Sequence, residues 1–214
     1  MSSLRVTEIY PSIQGESRHA GRPCVFVRLT GCPLRCVWCD TAYAFTGGEQ
    51  RSLDSIVAKA VSYGLELVEV TGGEPLAQKH TGKLLTLLAD QFQEVLLETS
   101  GALSIEGLDP RVRVILDLKA PGSGEESRNR WQNLEQLKPG DELKIVIADR
   151  ADYEWAKEVL QHRSIPEPVP VHFAPVHGEL DPRTLAAWLI KDRLAARLQL
   201  QLHKYIWGPE VRGV

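Results

Sequence analysis

Thr30-Gly31-Cys32-Pro33-Leu34-Arg35-Cys36-Val37-Trp38-Cys39-Asp40-Thr41 places three of the chain's four cysteines within eight residues, at C-x3-C-x2-C spacing. A disulfide framework needs an even number of well-separated thiols, whereas three thiols from one tight loop can serve one metal centre. A structural zinc would require a fourth protein ligand, for which His19 or Cys24 stands nearby in the sequence. An iron-sulfur cube held by three thiolates instead leaves one iron open to chemistry. The loop follows a β-rich apolar run over 24–30, so the cysteines are expected just beyond the C-terminal end of a strand.

The same arrangement recurs on either side of the loop. A strand over 65–70 ends in Thr71-Gly72-Gly73-Glu74-Pro75, whose glycines expose backbone groups at the edge where α/β proteins usually bind ligands. Strands over 95–99 and 112–118 end at Ser100-Gly101 and at Asp117-Leu118-Lys119. Further strands over 142–147 and 169–173 follow, the second leading into Ala174-Pro175-Val176. The last run, 197–202, alternates with period two and is expected to be a half-buried edge strand that delivers His203 and Lys204 to the same edge. Upstream, a short strand over 6–10 precedes a loop in which Gly15 permits close approach between the amide of Gln14 and the carboxylate of Glu16. Arg28 lies four residues before Cys32, and its guanidinium can clamp a carboxylate through two parallel hydrogen bonds.

Helices fill the intervals. Ser52 caps one with Leu53, Ile56, Val57, Ala60 and Val61 on a single face, stopped by Gly64. Others are expected over 81–92, 128–137, from Asp149 to about residue 162, and from the Asp181-Pro182 start signal onward. The stretch 122–127 reads as a surface loop. Strands alternating with helices define an α/β fold, with mostly parallel strands, right-handed crossover helices and about six strands curled into a partial (β/α) barrel. Residues 1–214 form one domain, with the cluster loop at 31–41.

Composition narrows the partners. Hydrophobic content of 43% and charged content of 25% suit a globular protein, and a net charge of −3 offers no footprint for nucleic acid or an anionic membrane. With no run of ~18 apolar residues and no leader signal, the expected setting is the cytoplasm, which also suits clustered free thiols. The default partner is a small-molecule substrate.

Trp38 before the third cysteine makes the loop C-x3-C-x-aromatic-C, which resembles the cluster loop of the radical S-adenosylmethionine (SAM) enzymes. In that superfamily the open iron of a 4Fe-4S cluster chelates SAM, and an electron cleaves it to a 5′-deoxyadenosyl radical. Gly72-Gly73-Glu74-Pro75 resembles the turn whose main chain holds the SAM amino group. Ile13-Gln14-Gly15-Glu16, Ala20-Gly21-Arg22-Pro23, Arg28-Leu29-Thr30-Gly31-Cys32, Cys39-Asp40-Thr41, Asp117-Leu118-Lys119, Glu142-Leu143-Lys144 and Gln201-Leu202-His203-Lys204 together resemble one family within it, the 7-carboxy-7-deazaguanine synthases.

That resemblance implies a radical SAM carbon-nitrogen lyase. It would convert 6-carboxy-5,6,7,8-tetrahydropterin to 7-carboxy-7-deazaguanine with loss of ammonia, on the route to 7-deazapurines such as queuosine. Cys32, Cys36 and Cys39 would hold the cluster. Trp38, Cys39, Asp40, Gly73, Glu74, Ser100, Asp117, Leu118, Lys119, Phe173, Ala174, Pro175 and Val176 would line the SAM side. Ile13, Gln14, Gly15, Glu16, Arg28, Thr71 and His203 would meet the substrate, and the Thr41 hydroxyl would ligate Mg2+. A reducing partner such as a flavodoxin or ferredoxin and a homodimeric state are also implied. Two positions depart from the family: Ser17 stands where glycine is frequent and Ala174 where glutamine is frequent, and the tail 207–214 differs in length. A glycyl-radical activase shares the loop and the turn, and a metal-stabilised binding module remains the non-catalytic alternative.

Overall fold

The computed structural model describes residues 2–214. Nine strands form one sheet in the order β3-β1-β2-β4-β5-β6-β7-β8-β9. Seven of them, β2 (Pro23–Leu29), β4 (Leu67–Gly72), β5 (Glu94–Thr99), β6 (Val112–Leu118), β7 (Glu142–Ile147), β8 (Val171–Pro175) and β9 (Arg197–Leu198), run parallel. β1 (Ser3–Ile13) and β3 (Glu49–Ser52) extend one edge antiparallel. The edges β3 and β9 do not pair, so the sheet is open, as the partial-barrel reading requires.

Helices α1 (Leu53–Val61), α2 (Thr81–Ala89), α3 (Gln132–Glu135), α4 (Arg150–His162) and α5 (Pro182–Asp192) lie in the connections, and α6 (Leu202–Ile206) closes the chain's last turn. The capping signals act as expected. Ser52 Oγ accepts from the Ser55 N–H at 3.2 Å, Asp149 from the Asp152 N–H and Asp181 from the Arg183 N–H. Each satisfies a backbone donor that its own helix cannot.

Because strand side chains alternate, each parallel strand contributes to two different surfaces. Val25, Val27, Leu29, Val68, Val70, Val95 and Leu97 pack with Ile56, Leu84, Leu85 and Leu88 of α1 and α2. Leu143, Ile145, Ile147 and Phe173 pack with Tyr153, Ala156, Leu185 and Leu189 of α4 and α5. The opposite face holds only a small apolar group, Cys24, Phe26, Leu67, Leu96 and Ile115, and is otherwise polar.

Three expectations are corrected and one strand is added. The added strand is β3, whose Glu-Gln-Arg-Ser carries no apolar period and is held by its ladder to β1. The helix over 128–137 shrinks to the single turn α3 after a 3-10 turn at Glu126–Arg128. The run 197–202 keeps only two strand residues, both exposed, since Gln199 turns inward to accept from the Ser17 N–H and the Leu202 N–H reaches Gly15 O. Finally, 122–127 is no free surface loop. Ser123 is fully buried, its carbonyl accepts from Val37 N–H, and Glu125 accepts from Arg35 N–H, so this segment props the cysteine loop from below.

Candidate active site

The polar face of the sheet, the loops at the strands' C-terminal ends and the tail 209–214 enclose a cavity of about 490 Å³, within the usual range for a small-molecule site. Cys32, Cys36 and Cys39 all line it, half-buried and free of disulfides. The Leu34 N–H points at Cys32 Sγ, at 3.4 Å, as donors do toward cluster-bound sulfur. Burial pushes the Cys32 and Cys36 thiols upward, against the Lys119 ammonium, which favours their thiolates. Among the described residues no three His, Cys, Asp or Glu side chains converge closely enough for a single metal ion. Cys24 is sealed inside β2, where burial raises its thiol far above the ordinary range, and His19 is buried beside Arg22 and Glu94. Neither Cys24 nor His19 is placed to complete a zinc knuckle on this loop. In an iron-sulfur cube each thiolate binds a different iron, so the three sulfurs need not meet at one point.

The Gly-Gly-Glu-Pro turn presses on the cysteine loop. A Cβ at Gly73 would stand 2.3 Å from Gly31 O and 2.7 Å from Cys32 Cβ, so only glycine fits. Glu74 does not reach the cavity as expected. It is fully buried, and its carboxylate accepts from Leu76 N–H, Thr99 Oγ1 and both donors of Ser100, tying the turn to the end of β5. Ser100 and the Gly73 backbone remain at the wall.

Further round, Asp117 and Lys119 pair at 3.1 Å on the wall, with one Asp117 oxygen left without a partner. Trp38, Asp40, Ala174, Pro175 and Val176 line the same side. Leu118 and Phe173 do not: both side chains point into the core behind the sheet, on the other phase of the strand alternation. Asp40 accepts from Thr41 Oγ1 at 2.9 Å and from Lys204 Nζ at 2.7 Å. Crowding raises its carboxyl, but Lys204 outweighs that and holds it below the usual carboxylate range. The hydroxyl and the carboxylate side by side are oxygen donors of the kind Mg2+ takes, together with several waters.

Ile13, Gly15, Glu16, Arg28, Thr71 and His203 also line the cavity. Arg28 donates from Nε to Glu8 at 2.7 Å and from Nη2 to Tyr10 Oη at 2.9 Å, while Nη1 donates to no described residue. Its guanidinium is thus held on one edge and open on the other. Gly15 cannot carry a side chain, because a Cβ would lie 2.2 Å from His203 Nδ1. Burial keeps His203 below the usual histidine range, despite the pull of Glu16. Gln14 is less available than expected. Its Nε2 donates to Glu69 and its Oε1 accepts from the Glu16 N–H, so its amide is already committed.

Three charged residues of the cavity floor are not among the expected site residues, although Lys144 stands in one of the segments that carry the family resemblance. Glu69 and Lys144 line the cavity from the middles of β4 and β7, and Glu98 from the end of β5. Burial, with Glu98 and Glu16 nearby, pushes the Glu69 carboxyl well above its ordinary value, which favours the protonated form where Gln14 meets it. The signal available was a lone charge inside an otherwise apolar strand run: Val-Glu-Val, Leu-Glu-Thr and Leu-Lys-Ile.

An open parallel sheet with a three-thiolate loop and a Gly-Gly-Glu-Pro turn over one cavity defines a radical SAM protein, and the Radical SAM superfamily model matches residues 26–137. Within that class the chain belongs to the 7-carboxy-7-deazaguanine synthase family. It is 49% identical over 214 residues to the 7-carboxy-7-deazaguanine synthase of Chlorobaculum tepidum, covering 99% of this chain and 97% of that protein. It is 44% identical to the Koribacter versatilis protein of the same name, covering 99% and 100%. Among solved structures, QueE from Escherichia coli superposes with a TM-score of 0.77 at 25% identity, over 94% of this chain and 95% of that one.

Proposed function

We infer that this chain contracts 6-carboxy-5,6,7,8-tetrahydropterin to 7-carboxy-7-deazaguanine, releasing ammonia. The observation that carries this reading is that one cavity is lined both by three free thiols and by an open-edged arginine. A 4Fe-4S cluster on Cys32, Cys36 and Cys39, with SAM bound, supplies the hydrogen-abstracting radical. The protein's part is placement. Arg28 takes the substrate carboxylate on its free Nη1 edge, preset by Glu8 and Tyr10. Thr41 and Asp40 would hold Mg2+, which would help bind the carboxylate, while Thr71 and His203 would meet the ring. Asp117, Lys119 and the 174–176 strand end face SAM. A one-electron reductant such as a flavodoxin or ferredoxin, a homodimer and a cytoplasmic setting complete the reading; among the described residues no helix is long and apolar enough to cross a membrane.

Anaerobic incubation of the iron-loaded chain with SAM, reductant, Mg2+ and the carboxytetrahydropterin should yield the deazaguanine acid by mass spectrometry. In Thr41→Ala, half-maximal turnover should need more Mg2+ while iron content holds. An inert pterin, with 5′-deoxyadenosine appearing only when a second protein is supplied, would favour the glycyl-radical activase instead.

A further inference from the structure

Lys144 stands in the middle of β7 between Leu143 and Ile145, which bury on the helix side, and its own side chain is only 8% exposed. Its Nζ lies 2.5 Å from Glu16 Oε2, 2.8 Å from Glu98 Oε1 and 3.7 Å from Asp117 Oδ2. The three carboxylates come from three separate segments: the loop after β1, the end of β5 and the end of β6. Glu16 also accepts from Gln199 and Gln201, and Glu98 from Thr71. Nothing in the cavity's outline demands a cation here, and a buried ion pair is weak evidence for stability.

The electrostatics make the group a unit. Burial alone would strip the proton from a lysine, yet Glu16, Glu98 and Asp117 hold this one well above the usual range. Burial alone would likewise neutralise Glu98, and the Lys144 ammonium brings it below the carboxylate range instead. Without that ammonium, three carboxylates would face one another with little water between them, and one would take up a proton or turn away.

Resting on the function proposed above, we propose that Lys144 is a positioning residue for the ring contraction: its ammonium fixes Glu16 and Glu98 as paired acceptors beneath the pterin and ties them to Asp117 on the cofactor side. Ionised carboxylates only accept hydrogen bonds, and a reduced pterin presents ring N–H donors once Arg28 has taken its carboxylate. The floor therefore matches the part of the substrate that the arginine does not reach. It also links the two halves of the cavity, so that the ring is held still where the radical arrives.

The test compares Lys144→Met, Lys144→Arg, Glu98→Gln and the double variant Lys144→Met/Glu98→Gln, each scored per loaded cluster. The readouts are affinity for the carboxytetrahydropterin, the ratio of 5′-deoxyadenosine to ring-contracted product, iron content and Tm. Lys144→Met should weaken pterin affinity about ten- to a hundredfold, as loss of charge-assisted contacts does, and raise the ratio. Lys144→Arg should fall between Lys144→Met and the unaltered chain, and the double variant should lose less than the product of the two single losses, since removing both charges leaves the floor balanced. A merely structural lysine would change Tm and iron content but leave affinity and ratio per cluster untouched, and that result overturns the proposal. So does a double variant whose losses multiply. If Lys144→Met does not fold, Lys144→Arg decides, an unchanged ratio and affinity being the contradicting result. An unaltered chain that ignores the pterin overturns the functional reading itself and is seen before any variant is made.

Discussion

On β4, Val68 and Val70 pack against α1 and α2, while Glu69 and Thr71 between and beyond them face the cavity. On β7, Leu143 and Ile145 pack against α4, while Lys144 faces the cavity. One strand, read in alternate residues, thus supplies both a hydrocarbon core and a charged floor. The helix-covered face is interchangeable in chemistry and exacting in volume, because its energy comes from burial and close packing. The cavity face is the reverse: it spends burial on charges that stay only because each has a partner. Mutations on the two faces should therefore fail differently.

The largest effect expected is at the rim joining the faces. Replacing Cys32, Cys36 or Cys39 by Ala should abolish SAM cleavage, whereas Cys24→Ala, a small residue sealed in β2, should keep it. Iron analysis and 5′-deoxyadenosine assays check this, and equal iron loss in a folded Cys24→Ala protein would break the three-ligand assignment.

Next comes a matched pair across the sheet. Phe173→Ala empties a fully buried site among Leu143, Tyr153 and Leu185, and should cost about 3–5 kcal/mol of stability with pterin affinity of the folded protein kept. Arg28→Lys keeps the charge but loses the planar fork held by Glu8 and Tyr10. It should weaken pterin binding roughly ten- to a hundredfold while Tm barely moves. Denaturant titration and binding assays on both variants would contradict the division of labour if the two losses were exchanged.

A smaller effect isolates Glu69. Its carboxyl is raised in the folded state above the ordinary 4.5, so between those values the folded chain holds a proton that the unfolded chain has released. Stability must then fall as pH climbs from about 4.5 toward the raised value. Glu69→Gln keeps an acceptor for Gln14 and removes this loss, so it should gain stability at pH 8 and little at pH 4. Superimposable pH profiles of Tm would show that Glu69 is not held neutral.

The smallest effect concerns the loop that closes the floor. Ser17 sits at φ 59°, in the left-handed region, where a glycine is unstrained. Its Oγ accepts from the His19 N–H at 3.0 Å and offsets part of that strain. Ser17→Gly should therefore shift stability by less than about 1 kcal/mol in either direction, and a larger change in Tm would mean the hydroxyl matters more than the backbone.

What was legible in the sequence follows from the same contrast. The cysteine loop, the Gly-Gly turn and the helix caps were readable because their chemistry lies in contiguous residues. Arg28, Thr71 and His203 reach the cavity as expected, although His203 is carried by α6 and not by a long edge strand. Phe173, Leu118 and Glu74 turn their side chains away from the cavity, because a motif names neighbours in sequence while strand phase and local hydrogen bonds decide which side chains face it. The pairings of Lys144, Glu98 and Glu69 are not legible in sequence because their partners lie 46 or more residues away or on another strand, and pairing of that kind appears only when the sheet is assembled.

The most direct test of this account is an anaerobic crystal structure of the iron-loaded chain with SAM and the carboxytetrahydropterin. It should show the cluster on Cys32, Cys36 and Cys39, the pterin carboxylate on Arg28 beside Thr41, the ring N–H groups over Glu16 and Glu98, and SAM against Asp117 and Lys119. A pterin whose carboxylate turns away from Arg28, or one that lies outside the charged floor altogether, would contradict it.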